Sequence, residues 1–268
     1  MAPLSHTARH DAGVRLRVPA LVLALLLPVA LLSGCGGHDP KPATGPGLPS
    51  QAALRSYFAA ITSGEADQVA KARTDVAAPG SLADGYAAYV EETDQAASAD
   101  GQEPDPVDVE EIDGGFKACI AADQCVTWTD LSGQGGRLAD FTTGRVKLSD
   151  SLIDLTAQAP IRSAGLYQVQ PEWAYRVPSG TLNVIVTVTA SDVPLSPKAG
   201  TYIAGDQILK GDKDVYPATV DAGTSSPVVL SFLHAKDVGL DGQITFGLKL
   251  GDQSTESIGF GLADPAAS

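Results

Sequence analysis

Between residues 182 and 250 the apolar side chains fall on every second position, a period that gathers them on one face of a strand and scatters them around a helix. Leu182, Val184, Val186 and Val188 share one face, with Asn183, Thr187 and Thr189 opposite. Val228, Leu230 and Phe232 repeat the pattern, as do Ile244, Phe246, Leu248 and Leu250. Pro178-Ser179-Gly180, Gly211-Asp212, Ser226-Pro227 and Asp241-Gly242 punctuate the runs with residues that favour turns. Strands of this kind bury one face and leave the other to solvent. A long series of them with no helical period predicts an antiparallel sandwich over residues 166–264.

Residues 50–150 follow a different rule. Leu54, Phe58 and Ile61 recur at helical spacing behind Ser50, a candidate N-cap, with Tyr57 flanking that face. Val69, Arg73 and Val76 mark a second, shorter helix on which Arg73 must snorkel. Leu82, Tyr86, Tyr89 and Thr93 form a third stripe behind Ser81. Three amphipathic helices need an apolar surface to cover, and residues 107–148 supply it. They read as strands, with Val126 and Trp128 alternating with Thr127 and Thr129. Asp100–Asp113 carries seven acids and no basic residue, without the alternating ligand pattern of a calcium loop, so it reads as a solvated segment. Residues 149–165, with Pro160 and little strand pattern, place a linker at 151–165. The fold class expected is therefore α+β: a helix-plus-sheet domain followed by an all-β sandwich.

The first 34 residues stand apart. Arg9, Arg15 and Arg17 precede an apolar run from Val18 to Leu32, followed by Ser33, Gly34 and Cys35. At 1.5 Å per residue the run covers about 23 Å, short of the roughly 30 Å hydrocarbon core, and Pro19 and Pro28 weaken it as a helix. It reads as a secretory signal over residues 1–34. Arg15 and Arg17 are not adjacent, so the general secretory route is expected. After it, residues 36–49 contain eight Gly or Pro in fourteen and read as a flexible tether that begins at Cys35 and carries a solvated His38.

Charge narrows the partners. The chain has 18 Lys and Arg against 32 Asp and Glu, a net charge of -14, and loss of the leader leaves 15 basic and 31 acidic residues. A polyanion would be repelled by such a body, so nucleic acid is not an expected partner. Cys119 and Cys125 remain once Cys35 is set aside, and an even pair in an exported chain is expected to form a disulfide.

Three resemblances extend this reading. The leader ending in Leu32-Ser33-Gly34-Cys35 resembles the lipobox of bacterial lipoproteins, of an actinobacterial kind. That resemblance implies a diacylglyceryl group, with acyl chains such as palmitate, on the Cys35 thiol, and a site on the outer leaflet of the cell membrane. The stretch LRSYFAAITSGEADQVAKA, followed by CVTWTDL, resembles the nuclear transport factor 2-like superfamily, a cone of curved sheet closed by helices that often holds a small ligand. It implies Tyr57, Tyr86, Tyr89, Trp128 and Phe141 as a candidate pocket lining, while the residues themselves read first as core filling, since buried aromatics are chiefly packing material. The runs SGTLNVIVTVTASD, YIAGDQILKGDKDVYPATV and SPVVLSFLHAKD look like the immunoglobulin-like, telokin-like domains found at the end of many exported lipoproteins. These domains mediate contact or act as spacers.

No G-x-S-x-G, S-x-x-K, H-E-x-x-H, Walker A or G-x-G-x-x-G sequence occurs. Asp130 and Asp140 are the carboxylates nearest the aromatic set, and His234 reads as a strand-edge residue. No catalytic residue, metal ligand or cofactor is expected. Three functions stay open, in this order: an accessory or interaction protein that meets an envelope partner; a carrier of a small apolar ligand in the cone; and an isomerase-like or hydrolytic enzyme.

Overall fold

Ser50 and Ser81 start two helices as capping residues do. The Ser50 hydroxyl accepts from the Ala53 amide at 3.2 Å, and the Ser81 hydroxyl from the Asp84 amide at the same distance. In the computed structural model, which describes residues 41–262 apart from 44, 122, 123, 164 and 254, these helices are α1 (Gln51–Ile61) and α3 (Leu82–Ala99), with α2 (Ala66–Val76) between them. Cys35, His38 and the leader lie outside the described residues. Among the described residues no helix is long and apolar enough to cross a membrane.

The helices cover a five-stranded antiparallel meander: β1 (Val109–Ile112), β2 (Gly115–Ala121), β3 (Gln124–Gln134), β4 (Arg137–Thr143) and β5 (Val146–Lys147), in that spatial order. Phe116, Trp128, Leu138 and Phe141 project from it into the core that α1 closes with Leu54, Tyr57 and Phe58. Cys119 and Cys125 are cross-strand partners on β2 and β3 and form the expected disulfide.

The remaining strands are β6 (Leu152–Asp154), β7 (Ile161–Ser163), β8 (Tyr167–Arg176), β9 (Leu182–Ala190), β10 (Leu195–Ala204), β11 (Gln207–Lys210), β12 (Ser225–Phe232), β13 (Gln243–Leu250) and β14 (Thr255–Gly261). They build two antiparallel sheets. One runs β12-β9-β8-β6 with β7 also on β8, and the other runs β11-β10-β13-β14. The alternating residues do what their period requires: Val184, Val186, Val188, Leu230, Phe232, Phe246 and Leu248 meet in one buried cluster between the sheets. The chain is thus α+β, with an antiparallel β-sandwich in its second half.

Two expectations need correction. The 151–165 segment is not a bare linker, because β6 and β7 both pair with β8 and extend the sandwich. Three-residue strands are too short to show a period of two, which is why they escaped the pattern. The Gly/Pro-rich run before Ser50 is likewise not wholly a free tether. Lys41 N–H donates to Asp113 at 2.9 Å, Gly114 N–H donates to the Lys41 carbonyl, and Gly136 N–H donates to the Gly47 carbonyl. Glycine serves close approach here: a Cβ on Gly133 would stand 2.1 Å from the Gly47 oxygen.

Layering explains the rest. Trp173, Tyr175, Ile185 and Val229 point away from the sandwich interior and join the same buried cluster as the helices and the first sheet. The sheet containing β8, β9 and β12 is therefore covered on both faces, by its partner sheet and by α3. Small residues on α3 permit this. Gly85 faces the Trp173 ring, and a Cβ there would lie 3.0 Å from Cζ3 and 3.1 Å from Cη2. Glycine inside a helix costs about 1 kcal/mol relative to alanine, which the seating of an indole against the backbone offsets.

Ile185 stands on the face of β9 that carries Asn183 and Thr187, yet its replacement by Ala is expected to cost about 2–5 kcal/mol, as a core truncation does. Thr189→Ala on the same face should stay within about 0.5 kcal/mol. Urea unfolding followed by tryptophan fluorescence and by far-ultraviolet circular dichroism checks both values. The two probes should trace one coincident transition, because Trp128 and Trp173 sit in one core.

Candidate functional site

The five aromatic residues singled out by the sequence do come together. Tyr57 comes from α1, Tyr86 and Tyr89 from α3, Trp128 from β3 and Phe141 from β4. Phe58, Phe116 and Tyr175 complete the group. Its ring centroids lie 4.9 Å apart for Phe58 and Trp128, 5.3 Å for Tyr86 and Phe141, 6.2 Å for Tyr57 and Phe141, and 5.0 Å for Tyr89 and Tyr175. These are contact distances for stacked and edge-on rings, so each ring has another ring where a lining residue would have a void. The set fills the core. Two of its polar ends are tied down: Tyr57 donates to the Ala83 carbonyl at 2.6 Å, and Asn183 donates to the Tyr89 hydroxyl at 3.0 Å, while the buried Trp128 Nε1 has no hydrogen-bond partner among the described residues. Burial pushes the Tyr57, Tyr86 and Tyr89 phenols well above their usual range, so none ionises near neutrality.

Neither carboxylate considered beside this set borders it. Asp140 alternates with Phe141 on β4 and projects from the other face, where its Oδ1 accepts from the Phe141 amide at 2.7 Å. Burial raises its pKa above the usual carboxylate value. Asp130 is exposed, with φ 51 at an irregularity in the β3–β4 register, and His234 is exposed just past β12 with φ 63. Among the described residues no group of three His, Cys, Asp or Glu side chains converges as a metal ion would need.

The best-formed concavity lies elsewhere, along α3 where it meets the sandwich. A cleft of about 340 Å³ has Gly85, Ala88, Leu152 and Trp173 as its apolar wall and Arg73, Asp84 and Asp154 at its rim. A second cleft of about 280 Å³ continues along the helix past Glu91, Glu92 and Gln95 toward Ser225 and Ser226, and Arg73 borders both. The Arg73 guanidinium is already engaged. Its Nε reaches Asp84 Oδ1 at 3.1 Å and its Nη1 reaches Glu91 Oε2 at 2.8 Å. An arginine on the buried stripe of α2 thus finds two carboxylates on the next helix. Its position among apolar neighbours was one sequence signal of this seam.

Glu92 is the unusual group. Its Oε1 accepts from Trp173 Nε1 at 3.3 Å, and among the described residues its buried Oε2 has no hydrogen-bond partner. Burial, then the nearby Glu172 carboxylate, pushes its pKa up to about 8, with the Trp173 hydrogen bond opposing. Burial also lifts Asp94 to about 6 and raises Glu172. The seam can bind and can take up a proton. It does not align a nucleophile with a base.

No protein-family model matches this chain, and no curated protein matches it in sequence. Among solved structures it is similar to the yeast GGA1_GAE domain at 12% identity, over 39% of this chain and 97% of that one, with a TM-score of 0.23. A likeness that distant bears on neither fold nor function.

The raised Glu92 pKa sets the sign of a pH dependence. The folded state holds this proton more tightly than the unfolded chain, so its contribution is complete below about pH 4.5 and is lost as the pH rises toward about 8. Stability from urea titrations should fall across that window, by up to about 1.4 kcal/mol per pH unit for one such group. Glu92→Gln keeps an acceptor for Trp173 and should flatten the slope.

Proposed function

We propose that this chain is an exported bacterial lipoprotein, held at the outer leaflet of the cell membrane through Cys35, whose body works by binding another envelope protein. The observation that carries export is the Cys119–Cys125 disulfide on the β2–β3 hairpin, taken with the leader that ends at Cys35. Such a bond persists in an oxidising compartment and is rare where thiols are kept reduced. Two or more acyl chains, at about 0.8 kcal/mol per buried methylene, hold a protein on a bilayer where one does not.

Residues 50–150 are, in this proposal, a nuclear transport factor 2-like unit whose cone is occupied by its own aromatic side chains. The mutual contact of Phe58, Trp128, Phe141 and Tyr86 supports holding over transforming, and it weighs against a small apolar ligand in that place. The sandwich is of the immunoglobulin-like kind, and its sheet of β10, β11, β13 and β14 has an outer face that no other element of the described chain covers.

Intact-mass analysis of the protein from its native membrane should show an N-terminus at Cys35 carrying a thioether-linked diacylglycerol. Cys35→Ser should leave the leader attached and abolish incorporation of radiolabelled fatty acid. A cytosolic protein with its leader intact and Cys119 and Cys125 reduced would overturn the proposal.

A further inference from the structure

Charge is not spread evenly over this acidic molecule. The β10–β11 and β10–β13 registers fix which residues share the outer face of the last sheet. Ser196, Lys198, Thr201 and Ile203 come from β10, Ile208 and Lys210 from β11, Thr245, Gly247 and Lys249 from β13, and Thr255 and Ser257 from β14. A Cβ on Gly247 would meet Thr255 Cγ2 at 2.9 Å and Lys198 Cβ at 3.2 Å, which confirms that these side chains lie together on that face. Three lysines stand there and no acid, in a chain with 32 acids and 18 bases. Among the described residues none of the three lies within ion-pair distance of a carboxylate. Beside them Ile203 and Ile208, direct cross-strand partners, are 42% and 64% exposed.

The complement is on the first sheet, at the β2–β3 end, with the segment that precedes β1. Ile120 on β2 is 76% exposed, and it borders a cleft of about 270 Å³ shared with Asp105, Pro106, Val107, Asp108 and Glu110. Glu110 is engaged by Lys117 at 2.9 Å, and among the described residues of the cleft the exposed Asp105 and Asp108 carry the remaining negative charge. One patch offers lysines around exposed isoleucines, and the other offers acids around an exposed isoleucine.

We propose that copies of this chain associate head to tail, the lysine and isoleucine face of one seating on the Ile120 patch of the next. Because the lysine face and the Ile120 patch are different surfaces of the chain, each contact between them is heterologous. Four strands about 4.8 Å apart and some seven residues long present roughly 400–500 Å² per copy, the lower limit of specific interfaces, so the association is weak and reversible. It goes beyond the proposed function and does not depend on lipidation.

Salt separates its two electrostatic parts. At about 0.1 M the Debye length of about 10 Å screens the repulsion between two acidic bodies but leaves close lysine–aspartate pairs intact, and at about 1 M those pairs are screened as well. Sedimentation of the purified full-length protein should show concentration-dependent growth at the lower salt and loss of it at the higher. Carbodiimide coupling should join Lys198, Lys210 or Lys249 to Asp105 or Asp108 of another copy. The triple change Lys198→Glu, Lys210→Glu and Lys249→Glu should abolish association, as should Asp105→Lys with Asp108→Lys. Four of the five positions are exposed and Lys249 is half-buried, and thermal melts of each variant check that the fold survives. Mixing the two variants should restore association, because reversed face then meets reversed patch. A monomer at all concentrations, growth indifferent to the reversals, or failure of the mixture to recover would each sink the proposal. The N-terminal mass reports on lipidation separately, so the two readings fail independently.

Discussion

The structure depends on one helix buried on two sides. α3 packs through Tyr86 against Phe141 of the first sheet and through Tyr86 and Tyr89 against Tyr175 of the sandwich, with ring centroids 5.3, 5.3 and 5.0 Å apart. Between those rings its sequence shrinks to Ala83, Gly85, Ala87 and Ala88, all buried. Large side chains at these positions would separate the layers, and small ones at the tyrosine positions would leave cavities costing several kcal/mol each. A helix so placed makes two halves of different architecture share one core.

Burying that helix draws polar groups partly out of water. Arg73 is answered by Asp84 and Glu91, and Trp173 Nε1 by Glu92. The remaining Glu92 oxygen is not answered, and the cheapest response of a desolvated carboxyl is to keep its proton. The raised pKa is thus a consequence of the layer arrangement rather than of any local motif. Trp173 and Glu92 are 81 positions apart in sequence, so no spacing rule could pair them.

What the sequence made legible was periodicity, and what it concealed was the partner of each face. The inner faces of β9, β12 and β13 follow directly from alternation, and the three helices from their stripes and serine caps. The residues that reveal the seam are those that break the alternation. Ile185 sits among Asn183, Thr187 and Thr189, and Val229 sits between Val228 and Leu230, both of which point inward. An apolar residue out of phase marks a face covered from outside. The aromatic set was legible as a cluster, with core filling as its first reading, but composition says which rings are buried and not which of them touch. Gly and Pro misled for a related reason. The same lack of side chain that loosens a free chain lets Gly47 lie against Gly133.

Alternation dictates that outward positions be polar, yet it is indifferent to the sign of their charge. An exposed lysine and an exposed glutamate serve a strand's outer face about equally, since isolated surface charges contribute about 0–1 kcal/mol. Folding therefore gives no reason for Lys198, Lys210 and Lys249 to share a face without one acid, or for Ile203 and Ile208 to stand among them. Nor does it require Ile120 to stand in solvent beside Asp105 and Asp108. Where stability leaves the choice free and the choice is nonetheless ordered, the order answers to something the folded chain meets. On this molecule the two ordered regions are opposite in charge and alike in exposed isoleucine, so each supplies what the other lacks.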